Sequence, residues 1–364
     1  MLQKLHFFTL ALVIIILSAC SPTRTLTNTT FIETSPIKDQ KSTNQCWSFC
    51  TTSFLEAEAL RLGFEVPEIS SFFYVYHTYL ENAEYYLKKG RGSYLLDING
   101  DLSFSVFEVF KDHGMVPEDV YDGGLKKVKS NVQLMIREHN EKVMHKQIRT
   151  KLDSILKGDF VMEEALSLIE AVLNRSMGRV PEEFTYVGKE TTTNRFAEEY
   201  LPLDLDNYVA ITSYVHLPFH ENVLLEIPAN WRQKLYYNLP IEEFMTIADK
   251  ALLNGYTMVW SGDIGFDGGF NNDGFVIVKG EYQSEEKIGQ WHRQSAFDRK
   301  TTQDDHGMHL VGLTYNKKGE KYYILKNSWG ESYGFKGIWY LSENYFRLRT
   351  ISLTAHRDVL DLGE

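Results

Sequence analysis

Two short runs that lie far apart in the chain constrain its fold most strongly, because one chemical device needs both of them. The first is the run QKSTNQCWSF over residues 40–49, which opens an apolar stretch with helical character. The second comprises DHGM over 305–308 and KNSWG over 326–330. A cysteine at a helix start, a distant histidine and a later asparagine are the parts of a thiol nucleophile with its base and its orienting group. The fold must therefore bring these segments together.

Each residue type in these runs has a chemical role. A thiol has a pKa near ~8.5, and we expect a helix N-terminus and an imidazolium to lower the pKa of Cys46. His306 is expected to take the thiol proton and to protonate the leaving amine, while Asn327 holds the other ring nitrogen. The amide of Gln40 and the backbone N–H of Cys46 are the expected oxyanion donors. Trp329 is expected to shield the hydrogen bond between histidine and asparagine from water.

These runs resemble those of papain-like cysteine peptidases. In that superfamily a glutamine lies six positions before the cysteine, as Gln40 does here, and an aromatic residue follows the cysteine, as Trp47 does. The asparagine stands in an Asn-Ser-Trp-Gly run, as Asn327 does. From about Lys38 onward, the chain more narrowly resembles the bleomycin hydrolase and aminopeptidase C branch. The stretches that carry this narrower resemblance are 39–43, 181–186, 237–241, 306–308, 327–331 and 356–360.

The resemblance implies an α+β, papain-like fold with two lobes. We expect one peptidase domain over 34–364, with a mainly helical lobe over about 40–124 and a mainly β lobe, an antiparallel sheet or barrel, over about 236–364. A helical insertion is expected over about 125–235. The cysteine then falls on the helical lobe, and the histidine and asparagine fall on the β lobe. A cleft between two lobes is a common place for a substrate site.

Apolar periodicity predicts the elements of both lobes. Helices are predicted over 46–62, 68–88, 103–112, 125–156, 162–174 and 240–253. Strands are predicted over 257–260, 308–315, 321–326, 338–341 and 350–354. The region 181–238 shows no clear pattern and receives no assignment.

Further cleft residues follow from the resemblance. Gly100 and Asp101 align with paired glycines whose backbone contacts the substrate in the family, so Asp101 departs from the pattern. Asp263 is expected to border the cleft, and Asp305 is expected to tune the electrostatic field around the histidine. The complete set predicted to contact the substrate is Trp47, Gly100, Asp101, Asp263, Asp305 and Trp329.

The predicted activity is hydrolysis of peptide bonds through a thioester on Cys46. In the bleomycin hydrolase branch a C-terminal tail lies in the cleft and limits cleavage to exopeptidase action. This chain ends at Glu364, soon after the stretch that resembles the start of that tail, so we expect an open cleft and endopeptidase action. The alternative is an aminopeptidase or a dipeptide-releasing enzyme, with Asp101 holding a free amine. Acyl transfer to an amine and non-catalytic peptide binding are further alternatives.

Neither a metal ion nor an organic cofactor is expected. His306 and His309 lie three positions apart on a predicted strand and should point to opposite faces, which argues against a shared ion with Asp304 and Asp305. Cys50 follows Cys46 by one helical turn, where disulfide geometry is poor. We therefore expect Cys50 to be a small buried residue rather than a resolving thiol.

The N-terminus is predicted to direct export. Lys4 precedes an apolar run over 7–17 that is too short to span a bilayer, and the run Leu-Ser-Ala-Cys over 17–20 resembles a bacterial lipobox. We expect a signal peptide over 1–19, a lipid on Cys20 and a flexible tether over 20–33. The protein would then be a membrane-anchored lipoprotein of a bacterial cell envelope. Ordinary signal cleavage near Cys20 is the alternative.

Composition narrows the partners further. The 364 residues suffice for one large two-lobed domain. A formal net charge of −11 and the lack of a basic stripe argue against a nucleic-acid partner. Peptides are the expected partners, and homo-oligomerisation remains open.

Overall fold

A computed structural model describes residues 26–65, 67–96, 100–124, 129–265 and 274–361 of the chain. The signal peptide and the lipid site predicted over 1–20 lie outside these residues. The helices are α1 (Cys46–Leu62), α2 (Ser71–Lys89), α3 (Ser103–His113), α4 (Asn131–Ile155), α5 (Met162–Met177), α6 (Thr193–Tyr200), α7 (Ile241–Leu253), α8 (Gln290–Asp298), α9 (Glu343–Arg349) and α10 (Asp358–Asp361). The strands are β1 (Leu26–Phe31), β2 (Glu183–Tyr186), β3 (Lys189–Thr192), β4 (Tyr208–Thr212), β5 (Glu221–Leu224), β6 (Leu235–Asn238), β7 (Met258–Gly262), β8 (Phe275–Val276), β9 (His306–Asn316), β10 (Lys321–Lys326), β11 (Ile338–Ser342) and β12 (Thr350–His356). The fold is α+β, as predicted.

One sheet organises the second half of the described chain. Its ten strands run in the order β5-β6-β4-β12-β7-β9-β10-β11-β8, and β1 pairs with β9. Strand β9 is central, because it pairs antiparallel with both β7 and β10. Most pairs are antiparallel, whereas β4 with β6 and β8 with β11 run parallel. His306 is the first residue of β9 and pairs with Gly262 of β7.

The two largest apolar cores among the described residues correspond to the two lobes. One core contains residues of all six helices from α1 to α6. The other lies between the sheet and helices α7 and α9. Helix α1 lies between them, and its residues from Trp47 to Ala59 are all buried. It ends at Gly63, whose φ of 80° is the left-handed conformation that commonly terminates helices. Helix α1 thus places its N-terminus, and Cys46 with it, against the sheet lobe.

The middle of the chain differs from the helical insertion predicted over about 125–235. Helices α4, α5 and α6 and the small hairpin of β2 and β3 account for its first part. Strands β4 and β5 return to the main sheet, where β4 pairs with β12. Four of the five residues of β4 are buried, so the strand lacks the alternation of apolar and polar residues that would identify it in the sequence.

The predicted tether over 20–33 also differs from the structure, because residues 26–31 form strand β1. This strand pairs antiparallel with the far half of β9, Leu26 opposite Asn316 and Phe31 opposite Gly312. Its composition is polar, but threonine is a β-branched residue that suits a strand. The hydroxyls of Thr29 and Thr314 lie 2.7 Å apart across the pair. Among the described residues, no helix combines the length and the apolar character needed to cross a bilayer.

Candidate active site

Cys46 is the first residue of α1 and lies in a cavity of about 430 Å³ between the lobes. The thiol is half-buried and forms no disulfide. The backbone N–H groups of Trp47 and Gly307 favour the charged form of its sulfur. The side chain of Trp47 is buried and also lines the cavity. The sulfur therefore lies between the first turn of α1 in one lobe and the first residues of β9 in the other.

His306 lines the same cavity as this thiol and contacts Asn327. Strand β9 begins with His306, and Asn327 follows directly after β10. The ring Nε2 of His306 lies 2.9 Å from Oδ1 of Asn327, and the ring of Trp329 lies 4.9 Å from the imidazole, centroid to centroid. Because a carbonyl oxygen only accepts hydrogen bonds, Nε2 carries a proton. The other nitrogen, Nδ1, is then the one that can accept a proton from the sulfur.

Burial opposes charge on both members of this pair. It raises the pKa of the Cys46 thiol to about 11, although the N–H groups of Gly307 and Trp47 act in the opposite direction. It also lowers the pKa of His306 to about 4, against the effect of the hydrogen bond to Asn327. Both shifts favour a neutral thiol beside a neutral imidazole. This differs from the lowered thiol pKa that the helix N-terminus led us to expect, because the loss of solvation outweighs the effect of the two N–H groups.

Gln40 lines the same cavity and connects the two lobes. Its backbone N–H donates to the carbonyl oxygen of Ser328 at 2.8 Å, and its side-chain Oε1 accepts from the Ser328 hydroxyl at 2.5 Å. Its Nε2 donates one hydrogen bond to the backbone carbonyl of Thr43. An amide nitrogen carries two N–H groups. One of them therefore remains for an oxyanion in the cavity.

Gly100 and Asp101 line the cavity, but the carboxylate of Asp101 is held within the protein. Its Oδ1 accepts from the N–H of Leu102 at 2.7 Å. Its Oδ2 accepts from the hydroxyl of Ser105 at 2.8 Å and from the indole of Trp231 at 3.0 Å. Three donors thus occupy this carboxylate at the start of α3, which weighs against the predicted use of Asp101 as a partner for a free amine.

Asp263 and Asp305 occupy different positions. The buried carboxylate of Asp263 is absent from the lining of the cavity and accepts from the N–H of Gln303 at 2.7 Å, so it supports the segment that leads into β9. Asp305 does line the cavity and accepts from the N–H of Ile264 at 3.0 Å. Burial raises the pKa of Asp305 to about 6.

Two residues of the site were not predicted from the sequence. Ser328 orients Gln40, and its position inside the Asn-Ser-Trp-Gly run was the available signal. Asp304 lines the cavity and accepts a hydrogen bond from the Ser261 hydroxyl at 2.5 Å. We had considered Asp304 only as a metal ligand. Among the described residues, no three metal-ligating side chains converge on one point. The expectation that no cofactor is needed stays a prediction.

Comparison with known proteins identifies the family of this chain. The model of the Peptidase C1-like family matches residues 99–361. Aminopeptidase C of Lactobacillus delbrueckii subsp. lactis is 22% identical over 356 residues, which cover 86% of this chain and 78% of that protein. The mitochondrial cysteine proteinase 1 of Saccharomyces cerevisiae is 23% identical over 361 residues, which cover 86% of this chain and 73% of that protein.

A solved structure shows the same fold. The crystal structure of PepW from Lactobacillus rhamnosis matches with a TM-score of 0.70 at 18% identity, covering 93% of this chain and 84% of that one. The family model covers most of this chain, and its relatives include aminopeptidase C proteins of several bacteria. The chain therefore belongs to the Peptidase C1-like family and is a cysteine-type peptidase with a papain-like fold.

Proposed function

We propose that Cys46 is the nucleophile of this peptidase, with His306 as base and acid, Asn327 as orienting group and Gln40 as oxyanion donor. One observation carries the assignment. The hydrogen bond of 2.9 Å between Nε2 of His306 and Oδ1 of Asn327 leaves Nδ1 as the base, in the cavity that also holds Cys46. This is the arrangement that a thiol nucleophile needs.

The reaction follows from these positions. The sulfur of Cys46 attacks the peptide carbonyl carbon while its proton passes to Nδ1 of His306. The carbonyl π electrons move onto oxygen, where the free N–H of Gln40 and the backbone N–H of Cys46 stabilise the negative charge. His306 then protonates the amine as the carbon–nitrogen bond breaks, leaving a thioester. Water then attacks the thioester carbon while His306 takes its proton. The carbon–sulfur bond breaks, the carboxylic acid product leaves, and the proton passes from His306 to the sulfur, which restores the thiol.

Burial opposes charge on the thiol and on the imidazole. The N–H groups of Gly307 and Trp47 stabilise the sulfur as negative charge develops on it.

The test compares the two cysteines of α1. Cys46→Ala should reduce peptide hydrolysis by several orders of magnitude, as the loss of a nucleophile does. Cys50→Ala is the matched control, because Cys50 is buried and its thiol donates to the backbone carbonyl of Trp47 at 3.3 Å. A peptide-library digest read by mass spectrometry and labelling with an epoxysuccinyl inhibitor measure both variants. Retained activity in Cys46→Ala, or an equal loss in Cys50→Ala, would contradict the assignment.

We also propose that Cys20 carries a lipid that anchors the protein to a bacterial envelope membrane. The support is the apolar run over 7–17 followed by Leu-Ser-Ala-Cys. Cys20→Ser should release the protein from the membrane fraction or block its maturation, whereas Ser21→Ala should change neither. Immunoblots of fractions washed with high salt give the answer. A Cys20→Ser protein that remains bound after the wash would reject the lipid.

Whether cleavage starts from a chain end remains a separate matter. The curated relatives include proteins named aminopeptidase C, which favours action at a free N-terminus. Endopeptidase action stays a prediction from the sequence. The two modes share the chemistry above, and they differ in whether the cleft binds a free amine.

A further inference from the structure

The catalytic cavity carries more negative than positive side chains. In the parts of the chain that the structure describes, the carboxylates that line it belong to Asp101, Asp304 and Asp305, and its one Lys or Arg is Lys41. The ammonium of Lys41 lies 2.6 Å from Oδ2 of Asp39, which offsets its charge. A positively charged group of a substrate would therefore be attracted into this cavity.

The three carboxylates differ in how far the protein already occupies them. Asp101 accepts hydrogen bonds from three donors of the protein, and Asp305 accepts one from the N–H of Ile264. Asp304 accepts at Oδ1 from the Ser261 hydroxyl at 2.5 Å. No donor within the described residues reaches its Oδ2. Of these two carboxylates, Asp304 has the larger electrostatic effect on the nucleophile, because its charge raises the pKa of Cys46 more than that of Asp305 does.

The walls near Asp304 are mostly apolar. Leu102, Tyr236 and Val259 line the same cavity, and the charge of Asp304 acts on the Tyr236 phenol. A carboxylate with an open oxygen at the edge of an apolar wall suits a cation that carries a hydrocarbon part. In a peptide substrate, the terminal α-amino group with its side chain and the side chain of Lys or Arg both have this character.

We propose that Asp304 selects peptide substrates that place a positively charged group, an ammonium or a guanidinium, in the cleft next to the scissile bond. The cation would donate to the open Oδ2 of Asp304, while Ser261 holds Oδ1 and fixes the plane of the carboxylate. This inference rests on the proposed peptidase function. It transfers to Asp304 the amine-binding role that the sequence suggested for Asp101.

The test uses Asp304→Asn, which removes the charge but keeps an oxygen that can accept from Ser261. Asp159→Asn makes the same charge change at an exposed residue outside the cavity and is the matched control. The substrates are peptides with a free or an acetylated N-terminus, each made with Lys or norleucine at the two positions before the scissile bond. Acetylation removes only the terminal cation, and norleucine removes only the side-chain cation.

In the wild-type protein, kcat/KM should be about 10- to 100-fold higher for the cationic peptide than for its neutral counterpart, the range of one hydrogen bond to a charged group. Asp304→Asn should bring that ratio close to one, mainly through the KM of the cationic peptide, and the ratio itself corrects for any effect of the variant on the thiol. Asp304→Glu should restore part of the preference. If kcat/KM falls on acetylation, the cation is the N-terminal amine. If kcat/KM falls when norleucine replaces Lys, the cation is the side chain.

Binding separates this inference from the peptidase assignment. Calorimetry with the same peptides on Cys46→Ala, with and without Asp304→Asn, measures charge selection without turnover. Charge-selective binding together with no cleavage by the wild-type protein would reject the peptidase assignment and keep the role of Asp304. Equal treatment of cationic and neutral peptides by the wild-type protein, or a preference that survives Asp304→Asn, would overturn the inference.

Discussion

At the scale of single residues, the amide of Asn327 decides which nitrogen of His306 is left to accept a proton. Its Oδ1 lies 2.9 Å from Nε2 of His306 and also accepts from the backbone N–H of Ser328 at 2.8 Å. A flip of the amide would break both hydrogen bonds. The orientation of the imidazole thus depends on a backbone contact just after β10 as well as on the side chain itself.

Asn327→Ala and His306→Ala should separate orientation from proton transfer. We expect His306→Ala to remove several orders of magnitude of activity, and Asn327→Ala to cost roughly 10-fold, near the upper value of one neutral hydrogen bond. The bond to Asn327 raises the pKa of His306, which lies at about 4. Its loss should therefore move the acid limb of kcat/KM to lower pH. Equal losses in the two variants, or a shift to higher pH, would contradict the orienting role.

Asp304 should reduce the stability of the fold at neutral pH. Burial raises its pKa from 3.8 to about 7, so over this interval the folded state holds a proton that the unfolded state has lost. The free energy of unfolding must then decrease as pH rises through this interval. Relative to the wild-type protein, Asp304→Asn should gain stability above pH 7 and none below pH 4, with a gain under ~4 kcal/mol because the side chain is partly exposed. Urea unfolding at several pH values measures this, and a constant difference between the two proteins would reject it.

Local motifs explain why the proximity of the candidate catalytic residues could be predicted. Gln40, Cys46, His306 and Asn327 each stand in a short run whose residue types match one chemistry, and the structure brings the four together. The partners of Asp101 could not be predicted, because Trp231 donates to it from 130 positions away in the chain. The raised pKa of Cys46 has the same kind of cause, since burial depends on the packing of both lobes.

At the scale of elements, the contact between α1 and β9 depends on Gly307. A Cβ atom at this position would lie 2.8 Å from Sγ of Cys50 and 3.4 Å from Cα of Trp47. Only glycine allows the strand to approach the helix so closely without a shift. This approach brings the N–H of Gly307 to the sulfur of Cys46.

Gly307→Ala should therefore lower both stability and activity. We expect a loss of about 1–3 kcal/mol in the free energy of unfolding, the usual cost of overpacking, together with slower turnover. The double variant Gly307→Ala with Cys50→Ala removes the close sulfur contact and should recover most of both losses. We would measure urea unfolding and peptide turnover for the two single variants and the double variant. The comparison gives the coupling energy between the two substitutions. Additive losses would show that the contact with Cys50 is not the cause.

Elements with strong periodicity were predictable, and those defined by their partners were not. Helix α1 occupies the predicted range, because a polar run precedes it and Gly63 ends it. Helix α2 begins at Ser71 rather than at residue 68, because the hydroxyl of Ser70 accepts from the N–H of Phe73 and caps it. Strands β1 and β4 are strands because they pair with β9 and β12, and no local sequence pattern predicts this pairing.

At the scale of the whole molecule, residues 35–38, which precede α1, contact both lobes. The N–H of Gly330 donates to the carbonyl of Lys38 at 3.1 Å, and the ammonium of Lys38 lies 3.0 Å from the carboxylate of Glu56 in α1. The ammonium of Lys326 at the end of β10 donates to the carbonyl of Ser35 at 2.6 Å. The two-lobed plan could be predicted from the division of the catalytic residues between helix and strand. These bridging contacts depend on tertiary structure.

If Cys20 carries the proposed lipid, the pairing of β1 with β9 would limit how far the enzyme reaches from the membrane. Once β1 is fixed to the sheet, a lipid on Cys20 would leave only the chain from 20 to 25 as a spacer, at most ~20 Å long. Leu26 lies opposite Asn316, the last residue of β9, whereas His306 is the first. The 11 residues of β9 span about 35 Å. An anchored enzyme would thus cut peptides only within a layer of about 55 Å next to the bilayer surface, and substrates beyond that radius of action would have to diffuse to it.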